Sequence, residues 1–405
     1  MRCVRLLPDV VSLSSCISAC EKGGQWESAF EILRRMPGSR LLPNDFCYNA
    51  GISACEKGGQ WLLAFALLAA MREAGVRPDK ISYSATISSC EKSGEWQLAI
   101  LFLRQMQAVQ VLPNEVSFSS AMSACEKTGR WQLALCFLEE MRQVTLAPND
   151  FSYNAAISAC EKSGRWELAI ELLNVMTRRE VPPNRISCNS AISACAKAGD
   201  WKRSLRLLQG MLKLGLVPDQ VSYNAAMSSC VRGDEWQVAL ELLDEMMRIH
   251  LMPTEISLNA AISACEKGGQ WQLALALLLE TSSRWGLAPD YISFNAAISA
   301  CQKGSCWQPA LDLLELMPSA RLAPDAISHN AAIASCALGG RWALAWALLG
   351  LQRPKPSAEA LVAVSGGCHR AGCWVALTSL LDELQQGMAG KLGGTSRRKG
   401  SEYPL

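Results

Sequence analysis

A tryptophan recurs along the chain at a fixed interval of 35 residues, and this interval constrains the fold more than any other feature. Each tryptophan closes a short block, which in its clearest copy spans residues 160–166 and reads Cys-Glu-Lys-Ser-Gly-Arg-Trp. The series comprises Trp26, Trp61, Trp96, Trp131, Trp166, Trp201, Trp236, Trp271, Trp307 and Trp342. One step, from Trp271 to Trp307, is 36 residues long, and a degenerate copy ends at Trp374. A fixed period of this length is typical of helical repeat proteins, in which each unit packs against its neighbours.

Each unit begins after a closing pair that is typically Pro-Asp or Pro-Asn, and position 1 denotes its first residue. The ten units, repeats 1 to 10, span residues 10–44, 45–79, 80–114, 115–149, 150–184, 185–219, 220–254, 255–290, 291–325 and 326–357. Glycine at position 14 or 15 and proline at position 34 end helices, and the tryptophan occupies position 17. We therefore predict a first helix over about positions 2–13 and a second from position 17 to before the closing proline. The expected fold is all-α, an α-solenoid of helix-turn-helix repeats.

The two ends of the chain differ from the ten repeats. Residues 1–9 end in Arg-Leu-Leu-Pro-Asp, which matches the closing loop of repeat 1 at residues 40–44. We interpret them as the end of a preceding, incomplete repeat, and we expect a truncated start with no visible targeting segment. Residues 358–387 are predicted to form a degenerate capping repeat. Residues 388–405, rich in glycine, serine and basic residues, are predicted to be a disordered tail.

Composition limits the classes of protein that are possible. The longest apolar runs, such as residues 62–71, are about ten residues long and fall short of the roughly 18 that span a bilayer, so no membrane segment is expected. The formal net charge is +2, so composition alone does not indicate a nucleic-acid ligand. Eleven of the 18 cysteines, from Cys20 to Cys368, occupy position 11. Because equivalent positions lie a full repeat apart, too far for a disulfide, we predict that these cysteines are buried and reduced.

The predicted first helix carries two stripes of different chemistry. Positions 4, 8 and 11, which are Tyr153, Ile157 and Cys160 in repeat 5, are spaced as a buried face. Positions 17, 20, 21, 24 and 27 of the second helix are also apolar, and the recurring methionine at position 27 is expected to pack against the next repeat. Positions 2, 5, 9 and 13 lie on another face of the first helix.

These features resemble the pentatricopeptide repeat family in its plain 35-residue type. The matching residues are the opening Val221–Asn224, alanine at position 20, methionine at position 27 and the closing Gly215–Asp219, and the resemblance covers roughly residues 5–385. The related tetratricopeptide repeat has a period of about 34 residues and a different pattern, and it fits less well. The resemblance implies a right-handed superhelix in which the first helices hold single-stranded RNA, about one nucleotide per repeat. It also implies a role in RNA processing, stability or translation in a plastid or mitochondrion.

A cationic residue ends nine of the ten predicted first helices. These position-13 residues are Lys22, Lys57, Lys92, Lys127, Lys162, Lys197, Arg232, Lys267 and Lys303. A row of this kind can follow the phosphates of a single strand. The alternative is that each is a solvated charge paired with a neighbouring glutamate.

Position 2 is valine, isoleucine or phenylalanine in every repeat. The residues are Val11, Phe46, Ile81, Val116, Phe151, Ile186, Val221, Ile256, Ile292 and Ile327. An apolar residue is out of place on a polar, solvated stripe. The resemblance implies that these side chains sandwich the bases of the RNA.

Positions 5 and 35 vary within a narrow set of short polar residues. Position 5 is Ser14, Asn49, Ser84, Ser119, Asn154, Asn189, Asn224, Asn259, Asn295 and Asn330. Position 35 is Asn44, Asp79, Asn114, Asn149, Asn184, Asp219, Thr254, Asp290, Asp325 and Ser357. Short side chains that exchange donors for acceptors at similar size suit the reading of base edges. Capping of the next helix would account for position 35 equally well, so base reading depends on the pairing with position 5 and on the resemblance.

The resemblance further implies one base for each pair of residues at positions 5 and 35. Ser-Asn pairs imply adenine, Asn-Asp pairs uracil, Asn-Asn pairs a pyrimidine and Asn-Ser cytosine, with the first repeat at the 5′ end. Asn224 with Thr254 departs from these pairs and is left unread. The predicted ligand is 5′-AUAA(C/U)UNUUC-3′, and the extra residue before Asp290 weakens the eighth assignment.

Signals of catalysis are weak. The three histidines are scattered, no Cys-x-x-Cys or His-x-Glu motif occurs, and Cys368, His369 and Cys373 lie in the degenerate repeat. We therefore expect no catalytic residues, no metal site and no cofactor. Two other functions stay open: a protein–protein scaffold that uses the same groove, and the RNA-targeting part of an enzyme whose catalytic domain is not in this sequence.

Overall fold

The computed structural model describes residues 9–39, 41–351 and 358–370. Within these ranges the chain forms α-helices and one short 3-10 helix, Pro37–Ser39, and no strand. The first helices of repeats 1–10 are α1 Val10–Lys22, α3 Asp45–Lys57, α5 Lys80–Ser93, α7 Glu115–Lys127, α9 Asp150–Lys162, α11 Arg185–Ala198, α13 Gln220–Arg232, α15 Glu255–Lys267, α17 Tyr291–Lys303 and α19 Ala326–Leu338. The second helices are α2 Trp26–Arg35, α4 Trp61–Glu73, α6 Trp96–Ala108, α8 Trp131–Gln143, α10 Trp166–Arg178, α12 Trp201–Lys213, α14 Trp236–Arg248, α16 Trp271–Ser283, α18 Trp307–Ser319 and α20 Trp342–Leu351. A last helix, α21, spans Ala358–Arg370. The prediction of an all-α repeat protein is thereby confirmed.

Several predictions made from the sequence fall outside the described residues. They concern the incomplete repeat up to residue 8, Ser357 at position 35 of repeat 10, the capping repeat beyond residue 370 and the tail at 388–405. Of the capping repeat, helix α21 is described, and it packs against α19 and α20.

Each first helix begins at position 1, within one residue of the predicted start, because the side chain at position 35 of the preceding repeat caps it. Asp79 is representative: its Oδ1 accepts the backbone N–H of Ser82 at 2.9 Å, and its own backbone N–H donates to Ser82 Oγ at 3.2 Å. This reciprocal pair satisfies N–H groups at the helix end that have no partner within the helix. Helix capping, the alternative function for position 35, is therefore present in the structure.

The turn between the two helices depends on a left-handed backbone at position 15. Gly94 has a φ of 78° there, and glycine occupies this position in eight of the ten repeats. Asp234 and Ser305 adopt φ values of 58° and 55° in the other two. Glycine takes this conformation without steric cost, so the predicted glycine turn is confirmed. The second helix then starts at the tryptophan of position 17 in every repeat.

The core positions predicted from the sequence are buried. In repeat 5, Tyr153, Ile157 and Cys160 are buried, and all eight methionines at position 27 are too. No disulfide joins the cysteines of the described ranges. Burial raises the pKa of Cys160 from an ordinary value of 9.0 to about 11. The prediction that the position-11 cysteines are buried is thus confirmed for Cys55 and its equivalents from there to Cys368, whereas Cys20 in repeat 1 is half-buried. Their reduced state stays a prediction.

The repeating tryptophan packs onto the following repeat. A Cβ placed on Gly58, at position 14 of repeat 2, would overlap Trp26 Cδ1, so the absence of a side chain permits this close approach. Where position 14 is Thr128 instead, the Arg130 guanidinium lies over the Trp96 ring, 4.7 Å from its centroid. Both arrangements join adjacent repeats through the same aromatic side chain.

The described residues divide into two compact units, one within Met1–Ala198 and Gln209–Val217 and the other within Gly199–Leu208 and Pro218–Leu405. In each unit every first helix packs against the next first helix and against the second helices beside it. The first helices of a unit therefore form one layer, and the residues at their equivalent positions lie in rows.

Candidate nucleic-acid interface

The position-2 row is exposed along its whole length. All ten side chains are between 51% and 69% exposed, with Phe151 and Val11 at the two limits. Each stands one residue after the start of a first helix, where the capped N-terminus fixes its direction. Exposed apolar side chains repeated at one position mark a binding surface more often than chance exposure does.

Among the described residues, positions 5 and 35 lie within hydrogen-bond distance of each other in repeats 2, 3, 7, 8 and 9. The contacts are Asn49 to Asp79 at 3.3 Å, Ser84 to Asn114 at 3.1 Å, Asn224 to Thr254 at 3.1 Å, Asn259 to Asp290 at 2.9 Å and Asn295 to Asp325 at 3.1 Å. The two positions that were predicted to read one base therefore form one polar site. These contacts leave the reading of bases itself a prediction.

The carboxylate at position 35 serves two partners at once. Asp325 Oδ1 accepts the backbone N–H of Ser328 at 2.8 Å, while Oδ2 accepts the Asn295 amide. Partial burial opposes ionisation, but the hydrogen bonds from the Ser328 backbone and the Asn295 amide lower the pKa of Asp325 below its ordinary value. The residue is thus an anionic acceptor. Asp325 therefore caps α19 and pairs with Asn295 at the same time, so these two roles of position 35 are compatible.

Repeat 5 departs from this arrangement. The Asn184 amide at position 35 donates to the carboxylate of Asp150, which is position 1 of the same repeat, at 3.3 Å. Asn154 at position 5 is buried, and its Oδ1 has no hydrogen-bond partner. This pair was also the one that the sequence could assign only to a pyrimidine.

In the remaining pairs, each residue has contacts of its own. Asn44 and Asn149 cap the helices that follow them, while Ser14 donates to the Val11 carbonyl. Asn189 belongs to the first compact unit and Asp219, which caps α13, to the second. Ser119 and Asn330 lie half-buried on their first helices, and the partner position of Asn330, Ser357, is outside the described residues.

The position-13 cations are exposed, and most of them contact an acidic residue of the preceding repeat. In the clearest cases the acid is the glutamate at position 12. The ion pairs join Lys57 to Glu21, Lys92 to Glu56, Lys127 to Glu91, Lys162 to Glu126, Lys197 to Glu161 and Lys303 to Glu266, at 3.1 to 3.9 Å. Lys267 lies 4.0 Å from Asp234. Most of the position-13 cations therefore form ion pairs between adjacent repeats. Their role in binding phosphate stays a prediction.

In these ion pairs the glutamate side chains are more buried than the lysine side chains. Burial raises the pKa of Glu126 even though Lys162 beside it acts in the opposite direction. Serine at position 9 supports the same carboxylate in some repeats, as Ser193 does by donating to Glu161 at 2.8 Å. A neighbouring glutamate was expected as the partner of each cation in the alternative to phosphate binding, but the Cys-Glu-Lys block does not show that the partner belongs to the preceding repeat.

Position 3 was missed. It is serine in nine of the ten repeats, the exception being Cys47. Ser82 and Ser257 are fully buried and complete the capping box of their helices. The signal was present as a serine two residues before the variable position 5.

An open cavity lies at the boundary between repeats 2 and 3. Its volume is about 600 Å³, and its lining includes Asp79 at position 35, Ile81 at position 2 and Leu112 in the next closing loop. Residues from the polar pair and from the apolar row thus border one space large enough for part of a nucleotide.

The described residues contain no group of three or more His, Cys, Asp or Glu side chains that could hold a metal ion. Among the helices of those same ranges, none has the length and apolar character needed to cross a bilayer.

Comparisons with known proteins agree on one family. The sequence model described as the PPR repeat family matches residues 148–197 and 183–232, that of the PPR repeat matches residues 221–251, and that of the pentacotripeptide-repeat region of PRORP matches residues 9–154. Together these matches cover residues 9–251, which is more than half of the chain. No curated protein sequence matches.

Solved structures of similar helical repeats are more distant. The pentatricopeptide repeat protein PPR10 from maize is 19% identical, with 96% of this chain and 70% of that chain covered and a TM-score of 0.49. PPR10 in complex with an 18-nt psaJ RNA element is 19% identical, covers 95% of this chain and 75% of its own, and has a TM-score of 0.38. The PPR domain of Arabidopsis thaliana protein-only RNase P 1 in complex with tRNA is 14% identical, covers 51% and 90%, and has a TM-score of 0.32. The repeat pattern, the helical architecture and the sequence-model matches lead to one conclusion: the chain belongs to the pentatricopeptide repeat family.

Proposed function

We propose that the first helices bind single-stranded RNA, with one base in each repeat. The observation that carries this proposal is the exposed apolar row at position 2 beside the hydrogen-bonded pairs at positions 5 and 35. Apolar side chains cover the faces of unstacked bases without regard to sequence, and a polar pair next to them can bind the base edge.

The pairs differ in the groups that they offer to a base. Ser84 with Asn114 presents a hydroxyl and an amide, whereas Asn259 with Asp290 presents an amide and an anionic acceptor. A carboxylate favours a base edge that carries a donor, such as the N3–H of uracil. Under the base assignments of the family, the preferred ligand is 5′-AUAA(C/U)UNUUC-3′.

The position-13 cations are proposed to contact phosphates of the same strand. Lys92 donates to the Glu56 backbone carbonyl and contacts its carboxylate, yet its side chain stays 43% exposed. An ammonium group has three donors, so one can reach a phosphate while the others hold the glutamate. Each such contact is expected to be weaker than that of an unpaired lysine.

The chain is proposed to act by binding, in RNA processing, stability or translation in a plastid or mitochondrion. This part of the proposal is supported by membership of the family. Catalysis on the bound RNA would then fall to another protein or to a domain outside this sequence.

The test is a change of base preference. Binding of 5′-AUAAUUAUUC-3′ is compared with binding of oligonucleotides that carry U or G at the third position. The wild type is expected to prefer A there. The double variant Ser84→Asn with Asn114→Asp reproduces the Asn49 and Asp79 pair and is expected to prefer U, with the other positions unchanged. The expected discrimination is on the order of one hydrogen bond, about 0.5–1.5 kcal/mol.

Equal binding of all these oligonucleotides by the wild type would disprove base reading by the pair. Absence of RNA binding, together with capture of a peptide by the same face, would favour the protein scaffold.

A further inference from the structure

The serine at position 3 of a repeat contacts the asparagine at position 5 of the repeat before it. Ser82 Oγ donates to Asn49 Oδ1 at 2.6 Å, and Ser257 Oγ donates to Asn224 Oδ1 at the same distance. Among the side-chain hydrogen bonds given for each asparagine in the described part of the chain, these are the shortest. The other bond of Asn49, from Nδ2 to the Asp79 carboxylate, is 3.3 Å long to each oxygen.

Two other asparagines at position 5 lack this contact. Asn295 donates to Asp325 at 3.1 Å, but its buried Oδ1 has no hydrogen-bond partner, because Ser328 Oγ turns to the Asp325 backbone carbonyl instead. In repeat 5, Asn154 Oδ1 is likewise without a partner, and Ser187 Oγ donates to the Asn184 carbonyl. The serine at position 3 therefore has two hydrogen-bonding arrangements. In one its hydroxyl donates to the asparagine Oδ1 of the preceding repeat, and in the other it donates to a backbone carbonyl.

The orientation of the asparagine amide at position 5 determines whether a base meets its hydrogen-bond donors or its acceptor. An asparagine side chain carries donors on Nδ2 and an acceptor on Oδ1, and a half-turn of the amide exchanges them. Uracil and cytosine differ by the same exchange, since uracil has a donor at N3 and an acceptor at O4, and cytosine has an acceptor at N3 and a donor at N4. An amide held in one plane distinguishes the two bases, whereas a loosely held amide can adjust to either.

We propose that Ser82 and Ser257 are positioning residues for base recognition, each fixing the amide plane of the asparagine at position 5 of the preceding repeat. The inference rests on the proposed RNA-binding function. Part of the base specificity of repeat 2 then depends on Ser82 of repeat 3, and part of that of repeat 7 depends on Ser257 of repeat 8. Neither serine contacts the base. Repeats 5 and 9, whose asparagine oxygens have no partner, discriminate less sharply between the two pyrimidines.

Repeats 2 and 9 supply a matched pair for the test. Both carry Asn at position 5 and Asp at position 35, and both following serines complete a capping box. Ser82→Ala and Ser328→Ala therefore remove the same cap, but only Ser82→Ala removes a hydrogen bond to the reading asparagine. Ser82→Cys keeps the volume at a position where Cys47 stands in repeat 2, and a thiol is a weak donor.

The measurement uses the full chain and 5′-AUAAUUAUUC-3′, with single U-to-C changes at the second or ninth base. For Ser82→Ala and Ser82→Cys, the preference for U over C at the second base is expected to fall about 2- to 12-fold, the range for one hydrogen bond. The preference at the ninth base is expected to stay unchanged in those variants and in Ser328→Ala.

The outcomes separate this inference from the function on which it rests. A wild type that does not distinguish U from C at the second base contradicts the proposed reading by Asn49 and Asp79. A wild type that does distinguish them, with Ser82→Ala and Ser82→Cys as selective as the wild type, overturns the positioning role. An equal loss at the ninth base in Ser328→Ala also overturns it, because the effect would then come from the helix cap.

Discussion

Lys92 Nζ lies 3.4 Å from the Glu56 carboxylate of the preceding repeat and donates a hydrogen bond of 3.0 Å to the Glu56 backbone carbonyl. Lys57 is bound to Glu21 in the same way, at 3.1 Å and 3.2 Å. An RNA phosphate that approaches such a lysine meets a charge that is already partly compensated. The number of exposed cations is therefore a poor guide to the number of strong phosphate contacts.

Removal of the glutamates should strengthen RNA binding. Nine full phosphate contacts would give a slope of log affinity against log salt of about 6, and the wild type is expected to fall below this value. The triple variant Glu56→Gln, Glu91→Gln and Glu126→Gln is expected to bind RNA about two- to tenfold more tightly at low salt. Its slope should rise by up to about 2, from about 0.7 for each contact. Fluorescence anisotropy at several salt concentrations measures both quantities.

The control for this experiment has the same change in net charge at another face. Glu139, Glu167 and Glu171 lie on the second helices α8 and α10, and their replacement by glutamine should leave the slope almost unaltered. Equal steepening in both triple variants would assign the effect to net charge alone. An unchanged slope in the first variant would mean that these lysines do not contact phosphate.

Truncation of an apolar side chain at position 2 should weaken binding to every RNA sequence alike. Ile256 is 62% exposed on a first helix, and Leu279 is 61% exposed on the second helix of the same repeat. Ile256→Ala is expected to reduce affinity about fivefold, which corresponds to about 1 kcal/mol of lost apolar contact with a base. Leu279→Ala removes a similar exposed area and should bind like the wild type. Equal affinities for the two variants would contradict a base-contacting role for position 2.

The helix order and the core positions could be predicted because they depend on residues of one repeat. The spacing of Tyr153, Ile157 and Cys160 marks a buried face of a single helix, and the glycine at position 15 marks a single turn. These signals recur in most of the ten repeats, and the glycine at position 15 recurs in eight, so accidental matches are averaged out. The helix starts could be predicted only to within one residue, because the cap that sets them belongs to the previous repeat.

Contacts between repeats could not be predicted in the same way. The partners Lys92 and Glu56 are 36 residues apart, and Ser82 and Asn49 are 33 residues apart. Which equivalent positions face each other depends on how adjacent helices are offset, and a single helical pattern carries no information on that offset. The same limit applies to repeat 5, where Asn184 turns to Asp150 in place of Asn154.

Alkaline pH should destabilise the fold through the buried thiols. Burial raises the pKa of Cys90, Cys125 and Cys160 from 9.0 to about 11, so the folded state keeps protons that the unfolded state releases. The stabilisation from this source is fully present below pH 9 and is lost as the pH rises through 11. We expect the thermal unfolding midpoint to fall over this window. A midpoint that stays constant between pH 8 and 11 would contradict the effect.

The same shift predicts which thiols react at pH 8. The thiolate fraction of Cys160 should be about a hundredfold lower than that of an unfolded cysteine, because the pKa values differ by about 2. Cys16 and Cys136 are exposed and serve as internal controls. Brief alkylation followed by mass spectrometry should label these two and spare Cys160, and denaturant should remove the difference. Rapid labelling of Cys160 in the native protein would contradict its burial.

A methyl group at position 14 should destabilise the boundary between two repeats only where a tryptophan occupies that space. Gly58 has a φ of −81°, which any residue adopts, but a Cβ there would overlap Trp26. Gly58→Ala is expected to lower the free energy of unfolding of this boundary by about 1–3 kcal/mol, the usual cost of overpacking, although alanine favours the helical backbone. Gly23 is the matched control, since it occupies position 14 of repeat 1 with a φ of −80°, and the nearest atom to its Cβ would be the Ala19 carbonyl oxygen at 3.4 Å. Hydrogen exchange of α2 and α3 reports on the boundary directly, and should accelerate in Gly58→Ala and stay the same in Gly23→Ala. Unchanged exchange in Gly58→Ala would mean that the ring moves aside at no cost and that the tryptophan does not join the repeats in the manner described.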